Sequence, residues 1–307
     1  MGTHSGHGRL GAGVTAGVAG LALAAWLSGR RAARGTASTE PVRAARACHR
    51  SSALLAGSVL ADSAMEHERG AYANPAMYVP PLMAALVLLA GAHGGGDARP
   101  QRHRVRHAVY GGAMATGVAG TGFHLYNILK RPGRWSWHNL FHAAPLGAPM
   151  ALLLAGGLGL AAERVRHGRT RVPRLLGRPA GQALGLLVGA GLLGTTGEAA
   201  LLHFRGAFQH RAMVLPVSLP PLAAAALLHA AVAPPTRRPL ARWLLRLVRL
   251  LGWLGMAFHT RGIARRQGGW RNWSQNLFAG PPLPAPPSFS ALAVAGLAAL
   301  RLREKRA

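Results

Sequence analysis

The sequence contains little cysteine, lysine or acid. Cys48 is the only cysteine, which excludes an intrachain disulfide and any metal or redox site built from several thiolates. Lys130 and Lys305 are the only lysines among 36 basic residues, and only 8 of the 307 residues are acidic. Charged residues make up 14% of the chain, whereas an ordinary soluble domain contains about 25%. This shortage of charge argues against a soluble globular protein.

Several catalytic signatures are also absent from the sequence. The run Gly94-Gly95-Gly96 is not followed by the lysine and the serine or threonine that complete a phosphate-binding loop. The sequence contains neither a nucleophile motif nor a dinucleotide-binding fingerprint. It therefore gives no support for a hydrolase, a transferase or an ATPase, and at most for a redox membrane subunit.

The formal net charge of +28 would suit a nucleic-acid-binding protein, but the distribution of the charge does not. Nearly all cations lie in short segments between apolar runs, whereas a nucleic-acid-binding protein collects them on one face or in a tail. We therefore exclude nucleic acid as a partner. The strong preference for Arg, Ala, Gly and Pro is typical of a GC-rich bacterial genome.

Long apolar runs recur along the whole chain, and strand-like alternation is almost absent. Each run has about 18 to 22 residues, enough to cross a hydrocarbon core of roughly 30 Å. Because backbone polar groups need internal partners in lipid, such runs predict helices. We predict an all-α, multi-pass transmembrane bundle of about nine helices. The predicted spans are 10–28, 51–70, 75–92, 106–129, 144–162, 181–205, 212–232, 244–263 and 281–302.

Arginine and lysine are distributed unequally between the two sides of these spans. The richer side holds 25 of the 36 cations, and the poorer side holds 11. The richer side comprises segments 30–50, 99–106, 164–178 and 237–249 and the C-terminal tail. The positive-inside rule places that side in the cytoplasm of a bacterial inner membrane, with the N-terminus outside and the C-terminus inside.

The first apolar run allows two interpretations. Ala22-Leu23-Ala24 resembles a signal-peptidase site, and cleavage there would remove the first helix. However, Arg30 and Arg31 follow the run at once, and cleavage would export this basic segment. We therefore expect an uncleaved anchor helix.

Two sequence blocks recur in the same order about 136 residues apart, which is the signature of an internal repeat. Residues 67–80 and 203–216 share the pattern His-x-Arg-Gly-Ala-aromatic, followed by Ala-Met-x-x-Pro. Residues 123–145 and 258–281 share Phe-His, then Gly, Trp, Asn-Leu-Phe and Pro. The pattern predicts two tandem four-helix repeats in parallel orientation.

The repeats divide the chain into three predicted parts. Residues 1–50 form the anchor helix and a basic cytoplasmic linker, residues 51–170 the first repeat, and residues 171–307 the second repeat with a short basic tail. Each repeat has an even number of helices, so both enter the membrane from the same side.

The repeated histidines are the strongest candidates for a binding site. His67 and His124 lie near the outer ends of two parallel helices, and His203 and His259 do the same in the second repeat. Two imidazoles at one depth suit a haem iron or another metal ion. Arg69 and Arg205 follow their histidines by two residues and are expected to bind haem propionates or another anion. The arrangement resembles cytochrome b-type membrane subunits only in placing paired histidines within a helix bundle.

Three acids fall within predicted spans, where ionisable groups usually have a function. Asp62 and Glu198 each precede a repeated histidine by five residues, and Glu66 lies one turn after Asp62. These intramembrane acids favour an alternative function, a proton-coupled transporter.

The outer loops offer a third interpretation, a structural subunit that docks a periplasmic redox protein or another partner. The predicted platform is formed by Trp135, Asn139, Phe141, Trp270, Asn276 and Phe278. These residues also suit a plain structural role, because tryptophans form interfacial belts and histidines near helix ends bind carbonyls. His93 and His103 lie outside the repeated blocks, and no site is predicted there.

Overall fold

The computed structural model describes residues 4–36, 39–142, 145–167 and 173–304. Within these ranges the chain is all-α, as predicted, with eleven α-helices. The helices are α1 (His4–Ala32), α2 (Glu40–Arg69), α3 (Val79–Gly96), α4 (Arg104–Leu129), α5 (Trp137–His142), α6 (Gly147–Arg166), α7 (Ala180–Arg205), α8 (Leu215–Val232), α9 (Pro239–Ala264), α10 (Trp273–Ala279) and α11 (Pro287–Glu304).

Short elements connect some of these helices. Three 3₁₀ turns cover Pro75–Tyr78, Arg211–Val214 and Gly269–Asn272. The only strands in the described ranges, β1 (Arg174–Leu175) and β2 (Arg178–Pro179), form an antiparallel hairpin before α7.

Among the described residues, four helical segments are long and apolar enough to cross a membrane, which is consistent with the predicted membrane location. They are Pro75–Gly96, Gly147–Arg166, Ala180–Arg205 and Arg211–Val232.

The long helices pack as two four-helix groups. In the first bundle, α2 contacts α3, α3 contacts α4, α4 contacts α6, and α6 contacts α2. In the second bundle, α7, α8, α9 and α11 make the same cycle of contacts. The two bundles meet where α2 contacts α11 and where α6 contacts α7. The first helix of each bundle thus lies against the last helix of the other.

Helix α1 packs against α3 outside this arrangement. Their crossing depends on glycine, because a Cβ on Gly96 would lie 2.3 Å from the carbonyl oxygen of Trp26. A Cβ on Gly29 would be equally close, at 2.2 Å, to the carbonyl oxygen of His93. Only residues without side chains allow the two backbones to approach so closely.

The same local structure follows α2 and α7, where the first repeated sequence block lies. Ala71 and Tyr72 have φ values of 51° and 46°, and Ala207 and Phe208 have 53° and 46°. Two successive non-glycine residues in the left-handed region are unusual. We call the end of the molecule that contains these turns the histidine end, and the opposite end the arginine end.

Four predicted helix starts differ from the structure by five residues or more, those of α1, α2, α9 and α11. Helix α2 begins at Glu40 rather than at residue 51, because the arginines of this stretch find partners within the protein: Arg46 and Arg50 both donate to the carbonyl of Gly95 at the C-terminus of α3. Cations are stabilised at a helix C-terminus.

Helix α11 begins at Pro287 rather than at residue 281. Residues 280–286 contain four prolines, which lack the N–H that a helix interior requires. Helix α6 begins at Gly147, and the predicted start at Ala144 lies outside the described residues, as do Arg169, Arg171, Lys305 and Arg306. The short helices α5 and α10 were not predicted.

Candidate functional site

All four repeated histidines make the same kind of contact at the histidine end. Nδ1 of His67 lies 2.5 Å from the carbonyl oxygen of Met77, and Nδ1 of His203 lies 2.9 Å from that of Met213. On the other helix of each pair, Nδ1 of His124 lies 2.5 Å from the Pro145 oxygen. The corresponding distance from His259 to the Pro282 oxygen is 2.7 Å.

These contacts fix the tautomer of each imidazole. A carbonyl oxygen can only accept a hydrogen bond, so each Nδ1 must carry the proton and donate it. In a neutral imidazole Nε2 then keeps its lone pair. Metal-ligating histidines are commonly oriented in this way, with the second ring nitrogen bonded to a backbone carbonyl. The four side chains are half-buried, so the sequence places four oriented Nε2 atoms in partly accessible positions.

The histidines form two pairs, one in each bundle. His67 lies on α2 and His124 on α4, and the two imidazoles are close enough to interact electrostatically. His203 on α7 and His259 on α9 interact in the same way. In each bundle these helices are opposite members of the four-helix cycle. Each pair therefore comes from two diagonally placed helices of one bundle.

The donor set fits a cofactor that supplies most of its own ligands. In the described ranges, no group of three or more His, Cys, Asp or Glu side chains is placed to hold a metal ion. A bare zinc ion normally takes three or four protein ligands. A haem needs only axial ligands from the protein, because its four pyrrole nitrogens occupy the plane. Two imidazoles per bundle match the two axial ligands that a haem takes from the protein.

Arg69 and Arg205 lie where the two bundles meet. Arg69 of the first bundle forms an ion pair with Glu66 and donates to the carbonyl of Phe278 in α10. The guanidinium of Arg205, from the second bundle, lies 5.4 Å from the ring centroid of Phe141 in α5. Each arginine thus crosses to the short helix of the other bundle. The predicted contact with a cofactor anion would be made from these positions.

Two of the three acids in predicted spans, Asp62 and Glu198, come from different bundles. Asp62 on α2 and Glu198 on α7 are close enough to interact electrostatically. The backbone N–H of Gly147, at the start of α6, donates to the Glu198 carboxylate. A Cβ on Gly147 would overlap a carboxylate oxygen of Glu198, so a side chain at this position would displace that carboxylate. Glu66 is engaged with Arg69 instead.

The predicted outer-loop platform separates into two kinds of residue. Trp135 and Trp270 are 58% and 50% exposed, and are therefore accessible to lipid headgroups or a partner. Asn139 and Asn276 are buried. Phe141 and Phe278 are half-buried at the junction of the bundles.

The two asparagines organise the loops around them. The Nδ2 of Asn139 donates to the carbonyls of Pro132 and Arg134, both at 2.9 Å. The Nδ2 of Asn276 makes the equivalent pair of bonds to Gln267 and Gly269, at 3.0 and 2.8 Å.

Replacing Asn139 or Asn276 by alanine should therefore destabilise the corresponding loop. Each change leaves two carbonyls without their donor, at a cost of about 1 to 3 kcal/mol. Thermal unfolding of the purified variants, together with the rate of proteolytic cleavage in residues 130–137 or 265–272, measures this effect. Ser274→Ala is the control, because Ser274 is exposed and should change neither quantity. Equal stability of all three variants would contradict the assigned role.

A buried ionic cluster at the arginine end of the first bundle was missed by sequence reasoning. Arg106 donates to Glu163 at 2.6 Å and to Asp97 at 2.9 Å, and also to Nδ1 of His93 at 2.8 Å. His49 lies between Glu163, at 3.2 Å, and the hydroxyl of Tyr110, at 2.8 Å. The cluster links α2, α3, α4 and α6.

Further arginines surround Asp97, which lies just beyond the end of α3. Arg166 donates to the carbonyls of Asp97 and Gly94, and Arg99 forms an ion pair with the Asp97 carboxylate at 3.0 Å. Burial alone would raise the pKa of Asp97, but hydrogen bonds from Arg99 and Arg106 outweigh it and hold that pKa well below its ordinary value. Asp97 is therefore an anion that its cationic neighbours keep ionised.

The second bundle has an apolar core at the corresponding positions. Arg303 donates to the carbonyl of Ala233 in the same way that Arg166 donates to the carbonyl of Asp97. Arg303 of the second bundle therefore corresponds to Arg166 of the first. The positions of Glu163, Arg106 and Tyr110 are then taken by three buried residues, Leu300, Ala241 and Leu245. The signal in the sequence was the rarity of acid: Asp97 and Glu163 are two of only 8 acidic residues.

No protein-family model, curated protein sequence or solved structure matches this chain.

Proposed function

We propose that this chain is a membrane electron-transfer subunit that binds one b-type haem in each bundle, between His67 and His124 and between His203 and His259. The observation that carries the proposal is the common orientation of the four imidazoles. In each of them Nδ1 is bonded to a backbone carbonyl, and Nε2 remains available as a ligand. The haem would supply the electron-accepting iron, and the protein would supply its axial ligands.

The proposal includes an internal duplication and a membrane orientation. The nine helices of 18 or more residues in the described ranges would all cross the membrane, α1 as an anchor and the other eight as two tandem repeats. The identical cycles of helix contacts and the matched histidine contacts support the duplication. The excess of arginine at one end supports a cytoplasmic position for that end of a bacterial inner membrane.

In this orientation both haems lie near the periplasmic surface. Electrons would enter from a periplasmic redox partner that docks on the exposed Trp135 and Trp270. They would pass between the two bundles at one depth, rather than across the membrane. Arg69 and Arg205, at the junction of the bundles, would supply positive charge for haem propionates.

An optical spectrum of the protein purified from haem-replete cells tests this proposal. The expected result is a Soret band that shifts when dithionite is added, with two haems for each chain. Iron determination on the same sample provides an independent count. A colourless protein without iron would overturn the proposal.

A second function, proton-coupled transport, is favoured by one specific observation. Asp62 and Glu198 come from different bundles and interact at the junction between them. Carboxylates inside the membrane often carry protons in transporters, and a parallel repeat is a known transporter architecture.

Vesicles that contain the protein test the second function. We would measure uptake of labelled amino acids, sugars and organic cations under an imposed pH gradient. A transporter should accumulate at least one of them, and Asp62→Asn should abolish the accumulation. Glu68→Gln removes an exposed acid near the same end and should leave uptake unchanged. Accumulation that survives in Asp62→Asn would exclude a role for this acid.

A further inference from the structure

One face of α9 carries aromatic and cationic side chains that the rest of the described chain leaves uncovered. Trp243 and Trp253 are 59% and 50% exposed, and Arg246 and Arg249 between them are also exposed. Together they border a surface groove of about 630 Å³. The groove is lined by Trp243, Arg246, Leu247, Arg249, Leu250 and Trp253.

The two arginines of this groove have no acidic partner among the described residues. The nearby Arg242 differs, because its guanidinium forms an ion pair with Glu304 on α11. Arg246 and Arg249 instead remain on the outward face of α9, next to the leucine and tryptophan side chains of the groove. An unpaired arginine within a bilayer is costly. The groove therefore favours an anion from outside this chain.

The position along α9 indicates where that anion lies. Arg246 and Arg249 are in the first two turns of the predicted span 244–263. Side chains on a helix lean towards its N-terminus, which here is the arginine end. The long side chains can thus reach the boundary of the hydrocarbon core, as arginines near helix ends do. Lipid phosphates lie at this level.

The corresponding face of the first bundle has none of these features. Aligning His124 with His259 places Ala108, Gly111, Met114 and Val118 of α4 at the positions of Trp243, Arg246, Arg249 and Trp253. The aromatic and cationic face is therefore specific to the second bundle. If these side chains served only to anchor a helix at the membrane interface, both bundles should carry them.

We propose that this groove binds an anionic phospholipid of the leaflet at the arginine end. The phosphate would lie between the guanidinium groups of Arg246 and Arg249. One acyl chain would follow Leu247 and Leu250 towards Trp253, and the Trp243 ring would cover the glycerol region. Basic pockets on the cytoplasmic side of membrane proteins bind phosphate headgroups through the same chemistry. The inference rests on the proposed membrane orientation but not on the histidine cofactor.

Native mass spectrometry of the detergent-purified protein tests the site, with phosphatidylglycerol and phosphatidylcholine as probes. Wild type should bind phosphatidylglycerol at least ten times more tightly than phosphatidylcholine. Each arginine near a membrane surface changes affinity for anionic lipid by about fivefold. Arg246→Gln/Arg249→Gln should therefore weaken phosphatidylglycerol binding by about 25-fold and abolish the preference for it over phosphatidylcholine.

Two further variants separate a specific site from general attraction. Arg261→Gln/Arg265→Gln removes the same charge from the histidine end of α9 and should alter phosphatidylglycerol binding by less than twofold. Arg246→Lys/Arg249→Lys keeps the charge and should retain most of the affinity. Undiminished binding in the glutamine variant, or an equal loss in the histidine-end control, would overturn the proposal. Competition by soluble glycerol phosphate at equal concentration, or occupation of the groove by a second copy or an acidic partner helix, would also overturn it.

Discussion

Replacing Glu163 by leucine, the residue at the corresponding position of the second bundle, will lower the free energy of unfolding by about 3 to 5 kcal/mol. The Glu163 side chain is fully buried and accepts from Arg106, which is 2% exposed. Without the carboxylate, Arg106 keeps Asp97 as its only acidic partner, and His49 loses its neighbour. The cost comes from leaving a buried cation without one of its counter-charges.

A double variant distinguishes this cause from a simple packing defect. Glu163→Leu/Arg106→Ala removes both charges and reproduces the residues Leu300 and Ala241 of the second bundle. It should recover part of the lost stability, because replacing a whole buried ion pair by apolar groups is often neutral. Glu304→Ala breaks a more exposed ion pair and should cost about 1 kcal/mol or less. Chemical unfolding in detergent measures all three, and a double variant that is less stable than Glu163→Leu would contradict the explanation.

Alanine in place of one repeated histidine will remove one of the two haems that we propose. His67→Ala and His124→Ala should each reduce the cofactor content from two per chain to one, because each haem needs both axial ligands. The double variant His67→Ala/His124→Ala should lose no more than either single variant. His67→Ala/His203→Ala, which takes one ligand from each bundle, should lose both haems.

This pattern depends on the pairing rather than on histidine content. His229 is an exposed histidine near the arginine end of α8, so His229→Ala is the control and should keep both haems. Haem extracted from the purified variants and divided by protein concentration gives the count. Equal losses from His67→Ala/His124→Ala and His67→Ala/His203→Ala would show that the four histidines do not act as two pairs.

The sequence predicted the helices better than their boundaries. Apolar length identified the long helices, since a run of this length has few alternatives in lipid. It missed the start of α2 because Arg46 and Arg50 look like a solvated linker until the carbonyl of Gly95 is placed beside them. The prediction also started the last helix too early, at residue 281. Residues 281–286 are apolar, but their prolines lack the N–H groups that a helix needs.

The candidate site could be predicted from the sequence because its histidines recur in both repeats. His67 and His203 were chosen for their recurring context, and both donate to a carbonyl ten residues later. The cluster around Arg106 could not be found in this way, because the second bundle has no copy of it. Its residues come from four helices that are distant in sequence, so only their packing brings the charges together. The contact between Asp62 and Glu198 likewise depends on how the two bundles meet.

An electron paramagnetic resonance spectrum of the oxidised wild-type protein tests the central claim most directly. If two imidazoles of one bundle ligate the same haem iron, both axial positions are filled by nitrogen, and the iron must be low-spin ferric. We expect low-spin signals that account for two irons in each chain. A high-spin spectrum, or the absence of any ferric signal from protein expressed with sufficient haem, would contradict the account.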